Sequence, residues 1–415
     1  MPEKAGERVF LNTRSYDCQV VIKDTDYTAD LDRVRIVSSL TAPYQSIYLD
    51  VFIDQNDIIL SKLYGQDKIK LKVRLLEQTQ FPKEEIDFEL IYISSNYSLV
   101  TKEQLSEGKQ KDRIPVSILA VPRIPLRTAS TLVNKIYFNR TAKEIVEDLV
   151  SSFTDASIEI DSDGINDMII DQCCVPPTTL VKALSYLDRT FGIFDGPYVH
   201  FIDRDNKIHI MNLNKKFNKD QAFAVYHLAQ RAKTQEVIEK CTDGKNFYTF
   251  YPINSDYSGN TMYSILAKNQ RFIVKPRDTL SHTIELNMDD VISEYGAVWK
   301  NPKSYVDDEI MKNRTKFYYK DTGYDYDDSF ALSKLTKILS QMSAIDVLLE
   351  RNLPILRLME VGRNVKLIEQ HNELTDISGK YILRSSDLSF KRGADAGADW
   401  EATAAIKLIR TNKTI

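Results

Sequence analysis

Along most of the chain apolar and polar residues alternate with a period of two, and only a few stretches change to helical spacing. D-C-Q-V-V-I-K (17–23) alternates, and Val34, Ile36 and Ser38 alternate with Arg35, Val37 and Ser39. In S-I-Y-L-D-V-F-I (46–53), Ile47, Leu49, Val51 and Ile53 share one face and Tyr48 and Phe52 the other. That pattern predicts a strand covered on both sides. The sharpest case is K-I-K-L-K-V-R-L-L (68–76), with Ile69, Leu71, Val73 and Leu75 opposite Lys70, Lys72 and Arg74. A further strand is predicted in E-I-D-F-E-L-I-Y-I (85–93). One short helix interrupts the series at N-D-I-I-L-S-K-L-Y-G (56–65), capped by Asn56 and stopped by Gly65. Strands so spaced around one helix predict a small barrel or curled sheet over residues 1–125. S-E-G-K-Q-K-D-R (106–113) is a polar loop, and the two prolines of V-P-R-I-P-L (121–126) mark a domain edge.

Residues 126–213 carry two helical patterns. R-T-A-K-E-I-V-E-D-L-V-S-S-F (140–153) has capping-box spacing at Thr141 and Glu144, with Val146, Leu149, Val150 and Phe153 on the buried face. In T-T-L-V-K-A-L-S-Y-L-D-R-T-F-G (178–192), Leu180, Leu184, Leu187 and Phe191 form one stripe. Thr178 or Thr179 is expected to accept from the first-turn amides, and Gly192 to take the left-handed position that ends the helix. Y-V-H-F-I and K-I-H-I-M, split by D-R-D-N, predict a hairpin with Asn206 at positive φ.

From 214 onward strands return: F-A-V-Y-H-L, K-N-F-Y-T-F-Y-P-I, R-F-I-V-K-P-R-D and S-H-T-I-E-L-N within 214–300, then five more within 329–415, including P-I-L-R-L-M-E-V-G. Residues 301–328 are polar and tyrosine-laden and read as an exposed loop or insertion. S-F-A-L-S-K-L-T-K-I-L-S-Q-M (329–342) is a helix with Leu332, Leu335, Leu339 and Met342 on one face. No short tandem repeat is present. The first and third segments each hold several strands and one amphipathic helix, an echo that suggests two related barrels.

Composition changes little in this picture. Hydrophobic residues make up 43% and charged residues 27% of 415 residues, an ordinary globular balance for two to four domains. A net charge of -4 argues against a general nucleic-acid scavenger. Four cysteines, two of them adjacent, make no disulfide framework and suit a reducing place of assembly. The N-terminus has no apolar signal region, and no stretch is long enough for a membrane span. The 22 tyrosines and 17 phenylalanines favour sheets and subunit contacts.

Candidate chemistry is sparse. His200 and His209 lie on the two arms of the predicted hairpin and, depending on register, come close, but no third metal ligand is placed. In D-R-D-N (203–206) the next calcium-ligand position is Lys207, so a turn is the expectation. D-T-G-Y-D-Y-D-D (321–328) has no metal spacing, and G-A-D-A-G (393–397) is a polar turn rather than a phosphate cradle. Cys173-Cys174 precedes a proline turn and reads as structural. No nucleophile elbow, Walker loop or dinucleotide fingerprint occurs. No catalytic, cofactor-binding or metal residue is therefore assigned, and no cofactor is expected.

The order of these units resembles the central hub proteins of contractile phage tail baseplates, which are related to the hub part of type VI secretion spikes. The resemblance is carried by S-I-Y-L-D-V-F-I-D-Q-N-D-I-I-L-S-K-L-Y-G-Q-D-K-I-K-L-K-V, the 140–153 helix, the helix ending F-G-I-F before the hairpin, and V-G-R-N-V-K-L-I-E-Q through to the final I-K-L-I-R-T-N. It covers nearly the whole chain; the 300–328 region fits least well. It implies a mainly β fold with α+β parts, made of two tube-like barrels and smaller flanking domains, and no enzymatic activity. It implies a homotrimeric, pseudo-sixfold ring that joins a hexameric tail tube to a trimeric central spike beside other baseplate proteins. DNA would be met only in transit, through a neutral or acidic lumen, in a virion baseplate assembled in the host cytoplasm. Tyr318, Tyr319, Tyr324 and Tyr326 are candidate contact residues, and Thr178 and Gly192 candidate structural ones. The competing functions are a hub of a phage-derived injection system, another tail adaptor or tube protein, and a tail-associated cell-wall hydrolase.

Overall fold

Period-two stretches become strands where the pattern places them. The computed structural model describes residues 16–54, 63–64, 67–75, 84–97, 113–194, 198–213, 222–228, 241, 245–255, 270–276, 284–287, 314–320, 344–350, 356–369, 378–393 and 400–409. The first segment gives β1 (Tyr16–Ile22), the two-residue β2 (Thr25–Asp26), β3 (Leu31–Ser39), β4 (Ser46–Asp54), β5 (Lys68–Leu75), β6 (Glu84–Tyr97) and β7 (Arg113–Pro122). Next come α1 (Arg123–Ser130), β8 (Leu132–Thr141), α2 (Ala142–Phe153), β9 (Ser157–Ile160), β10 (Ile169–Thr179), α3 (Leu180–Phe191), β11 (Tyr198–Ile202) and β12 (Lys207–Asn212). The last part holds β13 (Phe223–His227), β14 (Asn246–Thr249), β15 (Asn254–Ser255), β16 (Gln270–Pro276), β17 (Ile284–Asn287), β18 (Arg314–Lys320), β19 (Ala344–Glu350), β20 (Asn364–Glu369), β21 (Gly379–Arg392) and β22 (Trp400–Ile409).

Fourteen of these strands form one connected sheet. Within it the pairings β21-β3-β4-β7-β6-β5-β1-β22, closed by β21–β22, make a circuit of eight strands. The circuit draws on both ends of the chain: Ser385 of β21 pairs with Ser39 of β3, and Trp400 of β22 with Tyr16 of β1. Sheet twist lets such a circuit turn its alternate residues inward. The inward residues of β1 (Cys18, Val20, Ile22), β4 (Ile47, Leu49, Val51), β5 (Ile69, Leu71, Val73) and β22 (Ala404, Ile406, Leu408) are buried in one continuous core. Outside, charges alternate across strands, as in Lys72 to Glu85 at 2.7 Å, and Arg35 Nε donates to Asp387 of β21 at 2.7 Å.

The β21–β22 hairpin is the spine of the whole sheet. Its distal half, Ser385–Lys391 and Trp400, borders β3 and β1. β21 also borders β20 through Gly379–Ile382, and β22 borders β19 through Thr403–Ile409, so along Ser385–Ser389 the hairpin has β3 on one side and β19 on the other. A register shift between Leu383 and Ser385 lies where β21 passes from β20 to β3. From β20 the sheet continues to β13 and β14, and from β19 to β15. These two arms approach each other where the Thr249 hydroxyl donates to the Leu348 carbonyl at 2.6 Å.

The region 123–213 has its own core, in which Val146, Leu149 and Val150 of α2 meet Leu180, Leu184, Leu187 and Phe191 of α3. Thr141 caps α2 as its spacing predicts. Its hydroxyl accepts from the Glu144 amide at 3.2 Å while Glu144 accepts from the Thr141 amide at 2.9 Å.

Several expectations are corrected. β4 is covered on one face only, since Tyr48 is 36% exposed beside the Arg35 guanidinium. The second region holds strands β8 and β10 as well as helices, and β10 runs through Pro176 and Pro177. Prolines supply no amide, and the ladder with β8 shifts register between Val175 and Thr178 to accommodate them. After Pro122 the chain enters α1 at once, with Pro125 in its first turn, where no intrahelical amide is needed. The stretch within P-I-L-R-L-M-E-V-G is a 3-10 helix, Leu356–Met359, rather than a strand, because the Glu84 carboxylate accepts from the Leu356 and Arg357 amides at 2.9 and 3.3 Å. Part of the 301–328 region is strand: β18 lies parallel to β16. The 329–342 helix and most of the 56–65 helix lie outside the described residues.

Candidate functional site

The junction between the helix–hairpin region and the large sheet concentrates the unusual geometry. Helix α3 aims the chain at it. Gly192 ends α3 at φ 73 and ψ 123, a conformation reserved for glycine, while its amide donates to the Leu187 and Asp188 carbonyls. The Asn166 side chain then donates to the Phe191 and Gly192 carbonyls, both at 3.0 Å. The expected threonine cap is absent: Thr179 makes no side-chain cap hydrogen bond, and Thr178 belongs to β10 opposite Val133. The first helical amide, of Leu180, donates instead to the Thr131 carbonyl at 2.8 Å, which removes the need for a hydroxyl.

The hairpin β11–β12 forms as its turn chemistry predicts, with Asn206 at φ 58. Asp203 organises the turn by accepting from the Lys207 amide at 2.8 Å and contacting His209 Nε2 at 2.8 Å. This is a satisfied turn, not an ion loop. The ladder pairs His200 with Ile210 and His209 with Phe201, so the two histidines point to opposite faces and share no metal. His200 stacks on Tyr198; His209 stacks on Phe201 and meets Glu159 as well as Asp203.

Both faces of the hairpin are used. Ile202, Ile208 and Ile210 enter the core beneath the helices. Phe201, Met211 and then Leu213 pack on Leu40, Val361, Ile382 and Ile409 of the sheet side. Polar contacts flank this apolar seam: Arg204 reaches Glu360 at 3.5 Å with both side chains largely buried, and the Ile202 amide donates to the Pro43 carbonyl at 2.8 Å. Gly362, at φ 80, faces the hairpin, and a Cβ there would lie 2.6 Å from Met211 Cε. A cleft of about 410 Å³ opens beside the seam between α3, β11 and the ends of the spine, lined by Asp188, Arg189, His200 and Arg384 among apolar residues. The junction thus joins the two regions by shape and by partnered charges.

Other candidates fall elsewhere. Cys173 is buried on β10 and Cys174 exposed beside it; burial pushes the Cys173 thiol up to about 12. His227 contacts Glu369, whereas His282 and His371 lie outside the described residues. Tyr318 and Tyr319 belong to β18, and Tyr324 and Tyr326 fall outside the described residues, as do D-T-G-Y-D-Y-D-D and most of G-A-D-A-G. Among the described residues no group of three or more His, Cys, Asp or Glu could hold a metal ion, and no helix is long and apolar enough to cross a membrane. Gly362 and its methionine partner went unnoticed in the sequence; the only local signal is the small residue in V-G-R-N ahead of β20.

No curated protein sequence matches the chain. A tail protein of Neisseria meningitidis MC58 superposes with a TM-score of 0.57 at 10% identity, over 95% of this chain and 97% of that one. The 43 kDa tail protein of prophage MuSo2 from Shewanella oneidensis does so with a TM-score of 0.57 at 11% identity, over 95% and 98%. Neither likeness indicates a catalytic family. The family model described as Bacteriophage PBS1 gene 109 protein matches residues 81–407. The chain belongs to that phage protein family and has the fold of phage tail proteins, as the resemblance in its sequence implies.

Proposed function

We propose that the chain is a baseplate hub subunit of a contractile phage tail. Three copies form a pseudo-sixfold ring that joins a hexameric tail tube to a trimeric central spike and leaves a channel for DNA. The observation that supports this reading is the β21–β22 spine, each strand of which borders both the eight-strand circuit, through β3 or β1, and one of the arms β20-β13-β14 and β19-β15. In this reading the hairpin serves two strand systems as two barrel-like units side by side, the circuit and the unit that the two arms build. Three such chains present six units, which lets one object match sixfold and threefold neighbours. The helix–hairpin region, locked at the junction, acts as a bracket that fixes the angle of the pair. The protein does no chemistry in this role, and its place is the virion tail. The same geometry would serve the hub of a phage-derived injection system, and the two differ in the particle that carries them.

Co-assembly tests the role. Mixed with its tail's spike protein, the chain is expected to form a complex of three copies of each. A complex with any other ratio, or clearing of a peptidoglycan suspension by the purified chain, would contradict a hub.

A further inference from the structure

Six strands of the eight-strand circuit come from residues 16–122 and pair in the order β3-β4-β7-β6-β5-β1. The gap between β3 and β1 is two strands wide, and the β21–β22 hairpin fills it. Ser385–Lys391 run along Ser39–Arg33 of β3 over seven paired residues, and Trp400 meets Tyr16 of β1. The interior depends on the hairpin as well. Leu388 and Phe390 of β21 and Ala402, Ala404 and Ile406 of β22 share one core with Val34, Ile36 and Leu49, and the Phe390 ring meets Tyr16 edge-on at 5.1 Å. Before the hairpin docks, β3 presents a row of unpaired backbone groups beside an open core. Polar contacts mark the docked register. Arg35 Nε donates to Asp387 Oδ1 at 2.7 Å, Arg33 Nε to Ser389 Oγ at 2.9 Å, and Arg392 Nη1 to the Ala29 carbonyl at 2.7 Å. A slip of one residue along β3 would turn Leu388 and Phe390 outward and take Asp387 and Ser389 from the arginines.

We infer that the β21–β22 hairpin is the latch of the circuit. The six strands of residues 16–122 assemble first as an open sheet, the hairpin closes it in a later step, and Arg33 and Arg35 select the register in which it docks. Separation along the chain sets this order. Every ladder of the open sheet joins strands within residues 16–122, whereas Arg35 and Asp387 lie 352 residues apart. Pairing across such a distance must close a long loop before any contact rewards it. At about 5–20 residues per second of synthesis, β3 waits roughly 20–70 s for its partner. The two arginines suit that wait. Positive charge along an edge strand discourages pairing with a second copy, and the same charges then receive Asp387 and Ser389.

Refolding of the intact chain from denaturant, sampled by pulsed hydrogen exchange and mass spectrometry, tests the order. The expected result is early protection of β4, β5, β6 and β7. Joint protection of β21, β22 and the Leu40 amide, which donates to the Arg384 carbonyl at 2.9 Å, should follow. Arg35→Gln and Asp387→Asn should each slow the later step roughly two- to fivefold and leave the early one unchanged. Combined, they should slow it no further than either does alone. Protection of β21 and the Leu40 amide before β4–β7, or together with them in one step, overturns the latch. A later step that keeps its wild-type rate in both variants overturns the selection of register by Arg35. Should the chain fail to refold, brief protease pulses during cell-free synthesis decide the same point. β3 is expected to stay cleavable until residues 379–409 have been made, and a resistant β3 in shorter chains overturns the latch.

Discussion

Replacing Gly362 by alanine tests the rigid junction at its narrowest point. Two effects add. At φ 80 an L-residue leaves its comfortable backbone range, which costs roughly 1–2 kcal/mol. The new methyl also meets Met211 Cε at 2.6 Å, Met211 Sδ at 3.1 Å and Phe201 Cε1 at 3.2 Å. Overpacking of this kind costs about 1–3 kcal/mol. Methionine is the most yielding of core residues, which places the sum toward the lower end, about 2–3 kcal/mol. Backbone relaxation is resisted, because the Gly362 amide donates to the Leu383 carbonyl at 2.8 Å and the Leu383 amide returns a bond to Arg363 at 2.9 Å. For a cooperative unit of ordinary domain size the melting temperature should fall by roughly 4–12 °C in a calorimetric scan. The causes separate in a double-mutant cycle. In a Met211→Ala background the clash is gone, and Gly362→Ala should lose only the backbone part, about 1–2 kcal/mol. Equal losses in both backgrounds, or a loss below about 0.5 kcal/mol in the wild type, would refute the reasoning.

Further outcomes follow from neighbouring features. Gly192→Val should destabilise by roughly 1–3 kcal/mol through its positive φ and impair assembly without any catalytic defect; normal stability in a urea titration would sink the helix-stop argument. Thr141→Ala should cost about 1 kcal/mol and Thr179→Ala less than half of that, because only the first hydroxyl caps a helix; equal effects in the same titration would contradict the capping geometry. Burial raises the Glu84 carboxyl above its ordinary 4.5, outweighing the amides and arginines that favour its charged form. A raised folded value means its contribution is full at low pH and is lost as pH rises through that value. Glu84→Gln should therefore flatten the fall of wild-type stability above about pH 4.5, measured by denaturation across pH; identical pH slopes would exclude Glu84 as the cause.

How much was legible in the sequence follows from the range of each interaction. Period two in β5 placed Ile69, Leu71 and Val73 in the core because the alternation of a strand is local. The Thr141–Glu144 box and Asn206 were legible for the same reason, since cap and turn close within a few residues. The spine was not. Ser385 finds Ser39 across almost the entire chain, and nothing in either strand's alternation names its partner. The missing cap at Thr179 has a similar origin, as Thr131 came from another element to take the amide. The histidine pair was undecided until the register put His200 and His209 on opposite faces. In L-V-N-K-I-Y-F of β8 each alternation is mostly apolar with one polar residue, Asn134 or Lys135, so which of the two would be left open depended on where the helices packed.

The central claim is that one chain supplies two barrel-like units and three chains make a ring. Averaged electron-microscope end views of the purified protein test it most directly. The account predicts a threefold particle with six lobes around an open channel. A particle with three lobes, or a compact single chain with no ring at any concentration, would contradict it.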